Sequence, residues 1–184
     1  MSGPVVAICG PPGAGKSTLA ATLAARWEGA RVVDWDAWET FTHRPPEAIE
    51  AWLARGADPS EMSAPGLAEA LAAAAARGPV AFETPVGRAH PETAPLIDLM
   101  VWIEAPADLA LARKLSALLA IEGGPPRDWM AGWLAAYPRV VRPAAALQAA
   151  RVRPLADLVI DAETAPPRQA EAVLSRLAPG PPGS

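Results

Sequence analysis

Lysine is nearly absent: the chain of 184 residues has two, Lys16 and Lys114, beside one cysteine, one tyrosine and two histidines. A single cysteine excludes an intrachain disulfide, and Cys9, at the end of an apolar run, reads as a packing residue rather than a reactive thiol. His43 and His90 stand alone, without the spacing of a metal-ligand set. Hydrophobic residues make up 51%, yet no apolar run reaches the ~18 residues of a membrane-spanning helix. The first residues lack a basic stretch followed by an apolar leader core, so a cytoplasmic location is expected, with no membrane partner. Basic charge is not in excess either. The net charge is -4 and the isoelectric point near 5.2, which argues against a broad nucleic-acid footprint. Residues 1–178 are expected to form one domain, monomeric or homodimeric, large enough to bury a core without disulfides or structural metal. The tail, 179–184, is expected to be disordered.

One of the two lysines stands in a conspicuous place. The run Gly10, Pro11, Pro12, Gly13, Ala14, Gly15, Lys16, Ser17 matches G-x-x-x-x-G-K-[ST], with Thr18 following. Glycines let the backbone approach a ligand, successive N–H groups form an anion nest, and a helix opening at Lys16 adds the positive end of its dipole. In such a loop Lys16 would reach the β- and γ-phosphates of ATP and Ser17 would hold Mg²⁺. The surroundings agree: residues 4–9 read as a buried parallel strand, and Leu19, Leu23 and Trp27 recur at helical spacing after the loop.

Further on, Gly29 ends the first helix and residues 31–34 form a second strand, leaving Asp34, Trp35 and Asp36 at the carboxyl edge where open α/β sheets bind ligands. Residues 37–78 are helical with interruptions. Residues 79–83 form a third strand ending in Glu83, followed by a loop to Arg88. The fourth strand lies within 96–103, and Pro106 opens a helix that carries Arg113 and Lys114. After Gly123 and Gly124 a helical stretch, 127–149, turns at Tyr137 and Pro138; the fifth strand is 156–160, and a helix from Pro167 to Leu177 closes the chain. No internal repeat is found. Alternating strands and helices mean a parallel sheet covered on both faces.

This order of motifs resembles the small-molecule kinases of the P-loop class, nearest to uridine-kinase-like and other nucleoside and nucleotide kinases. The resemblance rests on residues 10–18, 34–36, 83–88, 103–114 and 156–161. It implies a three-layer α/β/α P-loop NTPase fold with a five-stranded parallel sheet in order 2-3-1-4-5, a substrate cap at about 37–78 and a lid at about 113–142. Asp36, followed by Ala37 and Trp38, looks like the carboxylate that engages the substrate hydroxyl, with Asp34 as its competitor. Glu83 corresponds to the acidic residue for Mg²⁺ and its waters. Arg88 corresponds to an arginine that holds an acidic group of the substrate or the transferring phosphate. Trp35, Trp38 and Trp52 lie in the substrate segment, where an aromatic face could stack on a ring. Residues 164–167 sit where such kinases wrap backbone around adenine. Arg113 and Lys114 resemble the start of the lid, but Ala117 stands where a further arginine is usual, so Arg113, helped by Arg127, Arg139 or Arg142, is expected to supply the missing charge.

The function implied is transfer of the γ-phosphoryl group of ATP, with Mg²⁺, to a hydroxyl of a nucleoside-like or other small metabolite. The alternative is a nucleotide-dependent regulatory ATPase without a small-molecule acceptor, which the missing lid arginine favours and the short chain disfavours.

Overall fold

The structure is a computed structural model that describes residues 2–177; the tail at 179–184 lies outside them. Its centre is a five-stranded parallel sheet in the order β2-β3-β1-β4-β5, formed by β1 (Val5–Cys9), β2 (Arg31–Asp34), β3 (Val80–Glu83), β4 (Leu99–Glu104) and β5 (Leu158–Asp161). The expected order is therefore observed.

Alternation along β1 divides the core in two, because successive side chains of a strand point to opposite faces. Val5, Ala7 and Cys9 join Phe82, Met100 and Trp102 on one face, while Val6 and Ile8 join Ala81, Val101 and Ile103 on the other. The second face is covered by α1 (Lys16–Arg26) and α7 (Pro166–Leu177), through Leu19, Leu23, Ala170 and Val173. The first face is covered by the cap segment, with α2 (Pro46–Ala54) and α3 (Leu67–Ala75), and by α6 (Val141–Arg151) through Leu147 and Ala149. Between β4 and α6 run α4 (Ala107–Leu119) and α5 (Arg127–Ala136). The break between α5 and α6 falls at residues 137–140, around Pro138 as its missing N–H requires.

Strand five starts later than its apolar pattern suggests. Asp157 leads into the strand with its side chain engaged: its N–H donates to the Met100 carbonyl at 2.8 Å while its Oδ2 accepts from the Met100 N–H at 2.8 Å. Asp98 does the same before β4, accepting from the Val5 N–H at 2.8 Å. These two aspartates finish the amino edge of the sheet, leaving the carboxyl edge for ligands. Among the described residues, no helix is long and apolar enough to cross a membrane.

Candidate functional site

Residues 10–17 close the carboxyl end of β1 and open α1. Gly13 has φ +84°, and a Cβ there would lie 1.9 Å from the Ala110 carbonyl oxygen of α4, so only glycine lets helix and loop touch. Ala14 is buried and offers the site its backbone alone. The Lys16 ammonium donates to the carbonyls of Gly10 (3.2 Å) and Pro11 (3.3 Å). Burial lowers its pKa, and the carboxylates of Glu83 and Asp36 act against that shift.

The sheet register sets Glu83 beside Ile8 on one side and Asp34 on the other. From there its Oε1 accepts from the Ser17 hydroxyl at 2.8 Å. Burial raises the Glu83 pKa, against the pull of that hydrogen bond and of Lys16. A hydroxyl paired with a carboxylate at the mouth of an anion nest suits Mg²⁺, a hard cation that takes few protein oxygens and fills its shell with phosphate and water. The donor set therefore fits the ion that the loop implies.

Beyond β2 the chain makes a single tight turn, Trp35–Ala37. Asp34 caps it, its Oδ1 accepting from the Asp36 N–H at 3.0 Å, which commits Asp34 to the backbone. The Asp36 carboxylate has no hydrogen-bond partner among the described residues; burial first, then the charge of Asp34, raises its pKa, with Lys16 opposing. The turn also decides which tryptophan faces inward. Trp35 is buried at 1% exposure and lines the site cavity, whereas Trp38 is 38% exposed, packs over Gly66 and is absent from the cavity wall.

Arg88 goes elsewhere. Its guanidinium pairs with Asp157 at 2.8 Å and donates to the carbonyls of Leu155, Ile97 and Asp98, tying the amino ends of β4 and β5 together. The loop after β3 lines the cavity as far as Val86 and only then turns away, with Gly87 pressed against Cys9 and Met100. Both Trp38 and Arg88 are thus placed away from the cavity in which substrate contacts were expected.

The lid cations separate in a similar way. Arg113 borders the cavity, but its Nη1 donates to the Ala162 carbonyl at 3.1 Å, beyond β5 and next to the segment expected to wrap the nucleotide base. Lys114, one residue on, is half-buried, and its charge acts on both Lys16 and Asp36. Arg139 pairs with Glu50 at 3.5 Å, and Arg142 lines a smaller cavity of about 280 Å³ behind Pro11 and Pro12. Arg127 opens α5 and borders neither cavity.

Loop, carboxylates and lid meet around a cavity of about 1150 Å³, whose far wall is built from α2, the cap turns and α6. Two contributors had no motif to announce them. Gln148 on α6 donates from Nε2 to the carbonyls of Pro85 (2.6 Å) and Gly10 (3.2 Å), joining the phosphate loop, the loop after β3 and the lid-side helix. Its signal was a single amide in an alanine-rich helix. Glu39 is buried on the cavity wall, accepting from the Thr42 N–H at 2.8 Å and from the Thr42 hydroxyl.

Compared by sequence, the chain matches no family model and no curated protein. Solved structures do match. Shikimate kinase from Acinetobacter baumannii, in complex with shikimate, superposes with a TM-score of 0.57 at 15% identity, over 95% of this chain and 93% of that one. APS kinase from Mycobacterium tuberculosis, in complex with AMPPNP and APS, gives 0.54 at 17% identity over 97% and 99%. The fold is that of P-loop small-molecule kinases. A gluconokinase from Sinorhizobium meliloti 1021 has it too, with a TM-score of 0.50 at 18% identity over 96% of this chain and 94% of that one. At such identities the likeness is one of fold, and the chemistry must be argued from the residues.

Proposed function

We propose that the protein is an ATP- and Mg²⁺-dependent kinase that transfers the γ-phosphoryl group to a hydroxyl of a small molecule. The observation that carries this reading is the sharing of one cavity by the phosphate loop, the Ser17–Glu83 pair and the partnerless carboxylate of Asp36. A nucleotide switch needs the first two; the third, on the acceptor side, is what a transferase needs to orient a hydroxyl and accept its proton. Structures of this fold carrying AMPPNP, APS or shikimate support a nucleotide and an acceptor in one cavity.

The residues divide the work. Backbone N–H groups of residues 13–18 and the opening of α1 cradle the phosphates, and Lys16 leaves its two carbonyl partners for their oxygens. Ser17 and Glu83 would hold Mg²⁺, which when bound neutralises charge on the β- and γ-phosphates. Asp36, raised in pKa, is the better base of the aspartate pair, while Asp34 holds the turn that aims it. Lys114 lies where charge develops during transfer, and Arg113 flanks the base end of the nucleotide.

Lys16→Ala tests the reading. Its circular dichroism should match the wild type, because the side chain is half-buried and bonded only to loop carbonyls, while ATP affinity and turnover should collapse. Unchanged affinity and turnover would remove the phosphate-loop assignment. Turnover that needs Lys16 but never any acceptor would make the protein an ATPase.

A further inference from the structure

The Lys16 ammonium rests on two carbonyl oxygens, those of Gly10 at 3.2 Å and Pro11 at 3.3 Å. To reach phosphate oxygens it must leave both, and a buried carbonyl left without a donor opposes the move. Each of the two oxygens has a second donor in place. The Pro11 oxygen also accepts from the Ala14 N–H at 3.1 Å, a bond internal to the phosphate loop. The Gly10 oxygen also accepts from Gln148 Nε2 at 3.2 Å, and that donor comes from α6, 138 residues further along the chain. Gly10 is the more dependent of the pair. It is buried, whereas Pro11 is half-buried, so water does not readily take the place that Lys16 vacates at Gly10.

The Gln148 amide is held in the orientation this task needs. Its Nε2 also donates to the Pro85 carbonyl at 2.6 Å, and the amide turned over would set Oε1 against two carbonyl oxygens, neither of which can donate. One side chain therefore spans Gly10, where the phosphate loop begins, and Pro85, two residues past Glu83. The helix that carries it has no fully buried residue. Leu147 and Ala149 set it against the core on the cap side, and Arg151 at its end donates to the Ala57 carbonyl at 2.8 Å.

Resting on the kinase reading above for what Lys16 binds, we propose that Gln148 is a positioning residue for the nucleotide. It keeps a donor on the Gly10 carbonyl when Lys16 moves from that oxygen to the β- and γ-phosphates, as the Ala14 N–H does for Pro11, and so lowers the cost of the move. The effect runs through Lys16 and is tied to the phosphates that draw Lys16 away. A ligand without β- and γ-phosphates leaves the ammonium on Gly10 and should not sense Gln148.

Gln148→Met and Gln148→Leu both remove the donor and keep an unbranched or compact apolar side chain in its place. Leu147, Ala149 and the Arg151 contact remain to hold α6, and thermal melting checks that both variants are folded. Two probes are compared in the presence of Mg²⁺: a non-hydrolysable ATP analogue by calorimetry, and AMP by competition against it. Both variants should bind the ATP analogue about tenfold more weakly, the ratio that one unmade hydrogen bond corresponds to, with AMP affinity unchanged. A cavity that had merely loosened would lose both ligands alike. The proposal is overturned if the variants bind the ATP analogue as tightly as the wild type, or if AMP is weakened by the same factor. The kinase reading fails by a different sign: the ATP analogue not binding the wild type, or binding Lys16→Ala equally well.

Discussion

Lys114 and Arg113 are neighbours on α4, yet the geometry predicts opposite kinetic signatures for their removal. The contact of Gly13 with Ala110 fixes the rotational phase of the helix against the phosphate loop; the same glycine's Cβ position lies 3.2 Å from the Lys114 backbone nitrogen, so the Lys114 stem starts directly over the loop. Lys114 borders one cavity with Lys16 and Asp36, which the proposed function places on either side of the transferred phosphoryl. Removing one preorganised donor from developing charge typically costs about 10²–10³ in kcat. Lys114→Met, which keeps most of the stem, should therefore lower kcat by about 10²-fold, with KM for ATP changed by only a few-fold. Arg113 is spent on the Ala162 carbonyl beyond β5. Arg113→Ala should raise KM for ATP about five- to tenfold while kcat changes by no more than about threefold, as for a binding contact equal in ground and transition states. Steady-state kinetics with ADP release coupled to an indicator reads both. A loss of kcat in Arg113→Ala matching that in Lys114→Met would refute the assignment and return the lid charge to Arg113.

Asp36→Asn should separate activity from stability. Burial and Asp34 raise the Asp36 pKa, so the folded chain holds this proton more tightly than the unfolded chain does. The stability so contributed is complete below the unfolded pKa and is lost as pH rises through the folded pKa, which leaves the ionised carboxylate a burden at neutral pH. The asparagine variant should thus melt higher than wild type at pH 7, converge with it near about pH 3, and lose on the order of 10²-fold or more in kcat. A lower Tm at pH 7, or retained kcat, would contradict this. Gly87→Ala tests the loop that carries Arg88 away. Gly87 has φ +49°, and its Cβ would lie 2.8 Å from both the Cys9 sulfur and the Met100 Cε, whereas Gly29, at φ +73°, has open space. Both substitutions incur the left-handed strain of about 1–2 kcal/mol. Only the first adds overpacking of about 1–3 kcal/mol, so urea unfolding should show that excess, and equal losses would mean that the core there yields freely.

The phosphate loop and the sheet were legible because their signals are local or repeated. An uncharged β-branched run, then glycines and a lysine, then helical spacing can be read from consecutive residues, and the strand order followed from resemblance to a known family. The site residues that moved were those whose place depends on partners distant in the chain. By resemblance Arg88 was expected to hold an acidic group of the substrate or the transferring phosphate, but Asp157, far along the sequence, claims its guanidinium. No local pattern could announce that ion pair.

The remaining discrepancies share one geometric origin: neighbouring residues sent in different directions by a phase that a contact fixes. Between Trp35 and Trp38 a single tight turn, capped by Asp34, sends the first ring into the cavity and the second over Gly66. Between Arg113 and Lys114 the choice is made by about 100° of helix rotation, set where Gly13 meets Ala110. The sequence names both members of each pair and leaves the phase open, because a side chain absent from Gly13, not one present, lets α4 come close enough to set it. That glycine belongs to the motif read first. Its place in the loop signalled phosphate, and its missing Cβ also lets α4 bring Ala110 and the Lys114 backbone against the loop.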